Sequence, residues 1–596
     1  MDKRNAGKSW THSGTLFVAL LAILGLATSC GGSSFNVGTS TNGGPSTPVQ
    51  PSIGSIASVV TAAVTEPYIA GNTVKYYCDC SGAGQTCAAA GAQGNDSTGA
   101  GTQALPYQTI GAAMTFLSGG NHRSAVLCQG GSFPATSVLS MSNTTCTAGT
   151  ICNELREYPV GGTTNAKPII DSTSMGGISL IKTPQNSING GWQLMNLRMN
   201  GPQVSGSEGF FFYSNTGSYL HDVVIKNVDI NGFQAGIDNG WPNNQNITIT
   251  GNHFTNEMRW GILGASNSLN INYNSFINSG SSITYDHAIY LGTNGTFSIS
   301  NVNVIGNYIS GYYSTGTGTQ CVGEPLVAHA AVTNLVVSGN VIIEPTNSNP
   351  QCYGMSFDNT GGPTNYAWYR NALFSDNIII NVGNIGMQIS NCPYCVIENN
   401  VIISEGSVTV VGIVSPNNRA NAGYNDVGTN VKMVNNTAYF GVNHTTGIYA
   451  GFEISTEGVN HLMANNTVVY EATSGPMACF KIVPTVTMAD MNNNNCFSKA
   501  SSYYWMNNNN TFYSLASWQS SSGFDSASSY ADPGWSFTTP FSIPTWSDSL
   551  TPAQWIGNAF VPTTSVLLGK GSHSYAPYFD FANVIRPNPP AIGAFE

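Results

Sequence analysis

The sequence predicts an all-β solenoid, in which short strands wind repeatedly around one long core. Three observations predict this fold. A β-branched run that ends in asparagine recurs about every 30 residues, and a second series of short apolar runs lies between its members. No segment shows an amphipathic helical pattern long enough to cover a parallel sheet. Self-similarity of this kind indicates stacked repeats, and the short strands make the repeats β-structured.

The first series contains units such as "ITGNHFTN", "NVIGNYISG" and "VVSGNVIIEP". Asparagine tolerates left-handed backbone, and its amide can satisfy a tight corner. Stacked coils would place these asparagines in an internal ladder, so we expect Asn252, Asn340 and Asn377 to be buried and hydrogen-bonded. The pivotal residues of the series are Asn196, Asn227, Asn252, Asn274, Asn307, Asn340, Asn377, Asn400, Asn436, Asn466 and Asn495.

The second series contains "QAGIDNG", "RWGILGA", "DHAIYLG", "CYGMSFD" and "NIGMQIS". Its members are separated from the first series by Gly, Asn and Ser, which are turn residues. Each repeat therefore holds two or three short strands.

Three further stretches resemble a known family. The segment "GNDSTGAGTQALPYQTIGAAMTFL" at 94–117 is similar to its opening, and "ADPGW" at 531–535 and "RPNPPAIGAFE" at 586–596 are similar to its tail. With the repeats, they resemble the right-handed parallel β-helix family that includes pectate lyases and many bacterial surface proteins. The resemblance covers most of the chain. It implies a right-handed parallel β-helix of about a dozen coils with an N-terminal cap.

The resemblance also divides the chain. Residues 57–180 would form the cap and first coils, 181–500 the β-helix repeats, and 501–596 an irregular segment that closes the helix. The family contains lyases, hydrolases, epimerases, adhesins and structural proteins, so the fold alone selects no activity.

The N-terminus has the features of an export signal. Lys3, Arg4 and Lys8 precede an apolar run over 16–27, which is too short to span a bilayer. The run ends in "LATSC", which resembles the lipobox of bacterial lipoproteins and would make Cys30 the lipidated residue. Residues 1–29 would be the signal peptide and 30–56 a flexible tether of Gly, Ser, Thr and Pro. The alternative is an ordinary secretory signal followed by a chance cysteine.

Charge and composition limit the partners. The 596 residues include 18 Lys and Arg and 29 Asp and Glu, which gives a net charge of -11. This balance argues against nucleic acid as a partner. The many neutral polar residues suit a polysaccharide or glycan recognised by hydrogen bonds, or they simply solvate a sheet. We expect a monomeric lipoprotein, exported to the outer membrane or cell surface and bound to the membrane through its lipid anchor.

Thirteen cysteines support export. Removing Cys30 leaves an even number, and several of the rest lie in close pairs: Cys146 with Cys152, Cys392 with Cys395, and the group Cys78, Cys80 and Cys87. An oxidising compartment makes these disulfides rather than zinc ligands. "CPYC" at 392–395 could be a redox dithiol, but it lies in a repeat and not in a βαβ context.

The candidate site comes from the register of the second series. Aligning Gly236, Gly261 and Ala288 stacks Gln234, Arg259 and Asp286 on successive coils, and likewise Asp238, Leu263 and Tyr290. Strand alternation with Ile289 inside predicts that Asp286 and Tyr290 face out and that His287 is buried unless the strand bends there.

A long interruption follows this register. From Ala288 the next match is Gly354, which leaves room for an unmatched coil and for a projecting loop that contains Cys321 and Glu324. Cys321 and Cys352 could pin this loop. Loops over a rigid scaffold often carry function, so we place the candidate site beneath this loop.

Two interpretations of this cluster remain open. In the first, Arg259, Asp286, His287 and Tyr290 are catalytic: Arg259 neutralises a substrate carboxylate, and His287 or Tyr290 acts as base or acid in a β-elimination. In the second, Arg259 and Asp286 form an exposed ion pair between coils and His287 is a satisfied corner residue. The predicted substrate-binding residues are Asp238, Trp241, Trp260 and Glu324.

The sequence thus favours a polysaccharide lyase over a glycoside hydrolase, with a non-catalytic adhesin or glycan-binding lipoprotein as the alternative. A hydrolase needs two opposed carboxylates, for which Asp238, Asp286 and Glu324 are the candidates. No cofactor or metal is predicted, although calcium stays open. Asp96 could contribute to a calcium site, but the few carboxylates around it favour a structural role.

Overall fold

A computed structural model describes most of the chain. The described residues are 50–81, 93–159, 166–215, 217–280, 286–292, 298–311, 324–344, 353–358, 367–405, 411–416, 428–444, 450–455, 458–473, 478–483, 485–500, 503–537 and 539–596. The predicted signal peptide, the predicted lipidation site Cys30 and residues 31–49 of the predicted tether lie outside them, as do Cys87, Cys321 and Cys352.

The chain forms a parallel β-helix. Within the described residues three sheets of 14 strands each run along its length. We call them sheets A, B and C in the order in which one coil visits them: a strand of sheet A, a tight corner, a short strand of sheet B, a turn, a strand of sheet C, and a connection to the next sheet A strand. Strands of successive coils pair in parallel, as Ile225 with Ile249 does in sheet A. The predicted all-β solenoid is confirmed.

Sheet A begins at the N-terminal end of the helix. Its strands are Thr73–Tyr77, Arg123–Cys128, Asn153–Tyr158, Asn189–Met195, Leu220–Lys226, Gln245–Thr250, Asn267–Asn272, Ser298–Ile305, Ala331–Ser338, Trp368–Ser375, Val396–Glu398, Lys432–Val434, Gly458–Ala464 and Val486–Asn492.

Sheet B has the shortest strands. They are Ser132–Pro134, Ile169–Asp171, Arg198–Asn200, Asp229–Asn231, His253–Thr255, Ser275–Ile277, Tyr308–Ser310, Val341–Ile343, Ile378–Ile380, Val401–Ser404, Thr437–Phe440, Thr467–Tyr470, Asn495–Ser498 and Ser529–Tyr530.

Sheet C carries the candidate site. Its strands are Leu139–Ser140, Ser179–Lys182, Glu208–Phe211, Ala235–Asn239, Trp260–Gly264, His287–Gly292, Leu326–His329, Met355–Phe357, Ile385–Ile389, Val411–Pro416, Ala450–Ser455, Ala478–Ile482, Tyr504–Asn508 and Thr511–Tyr513. The final pair is antiparallel, which ends the coil repeat.

The asparagine ladder lies at the corner between sheets A and B, and Asn252, Asn340 and Asn377 are fully buried as predicted. Each ladder amide donates to the Oδ1 of the next asparagine and to a backbone carbonyl of the preceding coil; Asn340 Nδ2 lies 3.0 Å from Asn377 Oδ1 and 2.8 Å from Val304 O. The ladder runs through Asn252, Asn274, Asn307, Asn340, Asn377, Asn400, Asn436, Asn466 and Asn494.

Three of the predicted ladder positions are wrong by one residue. Asn196 and Asn227 occupy the preceding corner position, where φ is positive (56° and 53°). In the last coil Asn494, not Asn495, accepts from Asn466. Two adjacent residues at this corner both favour asparagine, one for left-handed backbone and one for the ladder, so spacing alone does not distinguish them.

Four helices flank or cap the coils: α1 (Ile56–Thr65), α2 (Ile110–Ser118), α3 (Leu515–Ser522) and α4 (Pro552–Ile556). None of the helices among the described residues is long and apolar enough to cross a membrane. The apolar face of α2 packs into the core at the N-terminal end and forms the predicted cap. Asp96 supports this cap, because its carboxylate accepts from the backbone and hydroxyl of Thr109.

The N-terminal segment 50–65 lies along the A–B corner. Gln50 Nε2 donates to Asp376 Oδ2 at 2.9 Å, and Asn196 Nδ2 donates to Ala63 O at 3.0 Å. The described end of the predicted tether is therefore packed against the coils, and the chain runs from their middle back to the first strand.

The predicted closing segment 501–596 has two parts. In the first, α3 covers the last coil, where Trp518 is buried and donates to Asp525. In the second, residues 539–596 fold back over the outer face of sheet B, where Trp546 stacks on Tyr308 with ring centres 4.3 Å apart. This tail buries an apolar row of sheet B that would otherwise face solvent.

The disulfides agree in part with the predicted pairs. Cys146 bonds to Cys152 and Cys392 to Cys395, as predicted. Cys78 bonds instead to Cys128, a partner 50 residues away that spacing did not indicate. The structure adds a bond between Cys479 and Cys496.

Candidate functional site

The register of sheet C confirms the predicted stacking. Trp260 pairs with His287 and Ile262 with Ile289, so Gly261 and Ala288 are equivalent. Asp238 pairs with Leu263, and Leu263 with Tyr290.

The missing coil is found as well. Ile289 pairs with Leu326 and Leu326 with Met355, so Pro325 takes the place of the glycine that marks this series. Glu324 is therefore the next residue in the row that contains Trp260 and His287. The glycine-based alignment missed this coil because proline replaces the small residue.

One of the predicted orientations is wrong. Asp286 is 1% exposed and does not face solvent. Ala288 and Ile289 both lie in the core, so the strand does not alternate at this point. His287 is 4% exposed, so its predicted burial is confirmed, and its ring stacks on Tyr290 with ring centres 5.2 Å apart.

The Arg259 side chain lies over Trp260, with the guanidinium carbon 4.1 Å from the ring centre. Its Nε is buried and has no hydrogen-bond partner among the described residues. An exposed ion pair with Asp286 does not fit, since Asp286 is buried. The cation–π contact instead orients the guanidinium beside the row of His287 and Glu324.

Beyond Tyr290 lies an ion pair that the sequence did not indicate. His329 Nδ1 is 3.0 Å from Asp358 Oδ1. The other carboxylate oxygen, Oδ2, accepts from Ser356 Oγ at 3.0 Å and from Gln388 Nε2 at 2.9 Å. Tyr290 contacts His329 as well as His287, with ring centres 5.7 Å apart. The tyrosine ring thus connects the two histidines across the outer face.

The surroundings of the cluster shift the pKa values of Glu324 and His329. Burial, and then the charge of nearby Asp358, raise the pKa of Glu324 to about 7 against the opposing effect of His329. Burial disfavours the charged form of His329, but the hydrogen bond and charge of Asp358 outweigh it, so the His329 pKa is raised. The cluster therefore holds a carboxyl group whose pKa is close to neutral beside a histidine whose protonated form is favoured.

The surroundings of His287 and Tyr290 shift their pKa values in directions that do not favour either side chain as a general base. Burial lowers the pKa of His287 to about 3, and its Nδ1 lies 2.8 Å from Glu324 O. The neutral ring donates from Nδ1 to this carbonyl, so Nε2 is left as an acceptor. Burial also raises the pKa of Tyr290, which keeps its hydroxyl protonated.

Aromatic side chains lie on earlier coils of the same face. Trp241 packs on Tyr213, with ring centres 4.7 Å apart. Asp238 pairs with Phe211 across the sheet, and burial raises its pKa. The predicted substrate-binding residues Asp238 and Trp241 thus lie on the outer face but on coils before the His329 cluster, whereas Trp260 and Glu324 adjoin it.

Within the described ranges, one group of residues brings three potential metal-ligand atoms close together: Cys78, Cys80 and Cys128. Cys78 and Cys128 are joined as a disulfide, so these sulfurs are not thiolate ligands. Hard cations prefer several oxygen ligands.

Sequence reasoning missed Asp358, Ser356 and Gln388. A signal was present, because Asp358 ends "CYGMSFD", a recognised member of the second series. The sequence could not show that Asp358 faces His329, because the intervening coil had no glycine to align.

The sequence matches no protein-family model and no curated protein. Solved structures do show a likeness of fold. The chain is similar to pectate lyase Pel9A (13% identity, 91% of this chain and 99% of that chain, TM-score 0.38). It is also similar to a GH87 α-1,3-glucanase from Streptomyces thermodiastaticus (13% identity, 72% and 71% coverage, TM-score 0.36). A third similar structure is PfbA, a surface adhesin of Streptococcus pneumoniae (10% identity, 68% and 89% coverage, TM-score 0.34). Likeness at this level concerns the β-helix alone.

Proposed function

We propose that the protein is a polysaccharide lyase-like enzyme that cleaves an extracellular, uronic-acid-containing polysaccharide on the outer face of sheet C. The observation that carries this proposal is the grouping of Glu324, His329 and Asp358 around Tyr290. Active sites often gather buried groups whose pKa values are shifted toward the working pH. An adhesin needs an extended surface but no such cluster.

In the proposed reaction, ionised Glu324 removes the proton from the carbon next to the substrate carboxylate. The electron pair forms a carbon–carbon double bond and expels the glycosidic oxygen, which takes a proton from the His329 imidazolium. Arg259 faces the substrate carboxylate and stabilises the charge that develops there. Asp358 is a positioning residue, since it orients His329 and keeps it protonated.

A hydrolase is less well supported by the same contacts. It would need a second carboxylate that faces substrate or water. Asp358 is the nearest candidate, but it is 3% exposed and its oxygens are engaged by His329, Ser356 and Gln388. These contacts suit an orienting group rather than one that activates water.

The proposal is tested by screening the purified protein against neutral and uronic-acid polysaccharides, while following unsaturated-product absorbance and reducing ends together. We expect unsaturated products, and we expect Glu324→Gln, His329→Ala and Arg259→Ala to lower turnover, the first two by about 10²- to 10⁴-fold. His573→Ala, at an exposed histidine, is the control and should retain activity. Reducing ends without unsaturation would indicate a hydrolase, and binding without turnover a glycan-binding protein.

The Asp358→Asn variant separates positioning from catalysis. Activity of the natural protein should rise with pH as Glu324 ionises around its pKa of about 7 and fall as His329 loses its proton. Asp358 raises the pKa of both groups, so its neutralisation should move both limbs of the pH profile to lower pH and lower the maximum. A variant with reduced activity but unshifted limbs would contradict this role.

The place of action is also a proposal. The lipobox-like "LATSC" and the tether after it support export as a lipoprotein anchored through Cys30, at the outer membrane or cell surface. An anchored monomer that meets its polymer outside the cell fits this function.

A further inference from the structure

A second groove lies on a different side of the coils from the proposed active site, between α1 and the A–B corner. Its volume is about 380 Å³, within the range of ~300–1,000 Å³ that small-molecule sites occupy. Val60 and Val64 of α1 form an apolar wall, and Glu157, Asn227, Lys167 and Asp229 lie on the opposite side.

Two buried oxygens in this groove have no hydrogen-bond partner among the described residues: Glu157 Oε2 and Asn227 Oδ1. The two residues are only 3% and 1% exposed. Buried polar atoms are rarely left unpaired, so their presence in a groove points to a bound donor.

Neighbouring contacts fix which atoms remain for a ligand. Asn196 Nδ2 donates to Glu157 Oε1 at 2.8 Å, and Asn227 Nδ2 donates to Asn196 Oδ1 at 2.6 Å. These bonds hold both side chains in one orientation, with Oε2 and Oδ1 as the atoms left to accept. The two oxygens thus keep unused acceptor capacity beside the groove.

Charge restricts the ligand further. Arg156 Nη2 lies 3.2 Å from Glu157 Oε1, and Lys167 Nζ pairs with Asp229 Oδ1 at 2.5 Å. Each of these two acids already has a cationic partner, so a cationic ligand would find no uncompensated negative charge. An anionic ligand would meet the two unpaired oxygens.

We propose that this groove binds a small uncharged polyhydroxylated molecule of the monosaccharide class. Its hydroxyls donate to Glu157 Oε2 and Asn227 Oδ1, and its apolar ring face packs on Val60 and Val64. The site is separate from the sheet C cluster and does not depend on the activity proposed there.

The test is titration of the purified protein, monitored by calorimetry and by ligand-observed NMR, with D-glucose and D-galactose as uncharged probes. D-galacturonic acid and D-glucosamine are the anionic and cationic probes. We expect saturable binding of at least one uncharged sugar, at least tenfold tighter than either charged probe.

Val64→Trp should fill the groove and weaken this binding at least tenfold, whereas Ala62→Trp, at an exposed position of the same helix, should leave it within twofold. Thermal unfolding of both variants establishes that they are folded. His329→Ala should also leave the binding unchanged, which excludes the sheet C site as its source. Glu157→Gln gives a second readout, since it alters the acceptor without filling the groove.

Absence of saturable binding would show that water alone occupies the groove and would overturn the proposal. Binding that survives Val64→Trp, or that is equally tight for the charged sugars, would overturn it too.

Discussion

At the residue scale, one asparagine per coil satisfies a corner that would otherwise leave buried amide and carbonyl groups unpaired. Asn340 Oδ1 accepts from the backbone N–H and the side-chain amide of Asn307, at 3.1 and 2.9 Å. Its own amide continues to Asn377. Each residue therefore completes the hydrogen bonds of its two neighbours as well as its own.

Asn340→Leu should lower the free energy of unfolding by about 1–3 kcal/mol for each group that it leaves unpaired. Leucine itself fits this position, because Leu197 and Val228 occupy it on earlier coils. The loss of stability therefore comes from Asn307 and Asn377, which lose their hydrogen bonds to Asn340. Chemical denaturation measures the change.

Asn303→Ala is the matched control. Asn303 Nδ2 also bonds to an asparagine of the neighbouring coil, Asn270 Oδ1 at 2.8 Å, but Asn303 is half-buried. Water can replace this bond, so the loss should stay below about 0.5 kcal/mol. Equal losses for the two variants would argue against the ladder as a stabilising element.

Glu344 is a second residue whose burial has a measurable effect. It is 4% exposed, and its Oε1 has no hydrogen-bond partner among the described residues. Burial raises its pKa to about 8. The folded protein therefore holds this proton at pH values where the unfolded chain releases it.

The sign of the resulting pH dependence follows from the raised pKa. The stabilising contribution is complete below the unfolded pKa of about 4.3 and is lost as pH rises through about 8. Glu344→Gln removes the titration, so its melting temperature relative to the natural protein should increase from pH 5 to pH 9. Asp532→Asn, at an exposed carboxyl, should show no such trend. A constant difference for Glu344→Gln would refute the assignment.

At the element scale, the C-terminal tail explains why the middle strands of sheet B are apolar on both faces. Strands such as Val341–Ile343 and Ile378–Ile380 bury all three side chains. Alternate residues face the core, and the others face the tail around Trp555 and Phe560. The tail is therefore part of the folded body and not an appendage.

Trp546→Ala should lower the free energy of unfolding by about 2 kcal/mol, because the ring loses its stack on Tyr308 and uncovers part of sheet B. Trp368→Ala is the control, since Trp368 is also half-buried but contacts Arg370 on a strand of sheet A. We expect a smaller loss there. Denaturant titration of both variants decides the comparison, and a larger loss for Trp368→Ala would contradict it.

At the scale of the whole molecule, the N-terminal segment approaches the body beside Asp376 and then runs along the A–B corner to the first coil. The proposed active site lies on sheet C, the sheet that does not form this corner. The described chain thus places the approach of the tether and the proposed active site on different sides of the coil.

Cys30→Ser tests the proposed anchor at this scale. Loss of the lipidated cysteine should move the protein from the membrane fraction to the soluble exported fraction, because a tether alone has no affinity for lipid. Fractionation of cells that express each form measures the shift. An unchanged membrane fraction would rule out anchoring through Cys30.

The sequence by itself determined the solenoid, its coil register and the ladder. Repeats of this period can bury their apolar runs only by stacking, and stacking makes equivalent positions neighbours. For this reason the alignment of Gly236, Gly261 and Ala288 predicted real contacts. The alignment missed the coil of Glu324, which was linked to the site only by the long interruption that follows Ala288.

Only the tertiary structure decided which way the site residues face and what completes them. Asp286 is buried, although alternation along the strand predicted that it would face solvent. Asp358 reaches His329 across a coil boundary that follows a long interruption of the repeat. Orientation and pairing of this kind depend on turn geometry and on burial, and the linear pattern of residue types records neither.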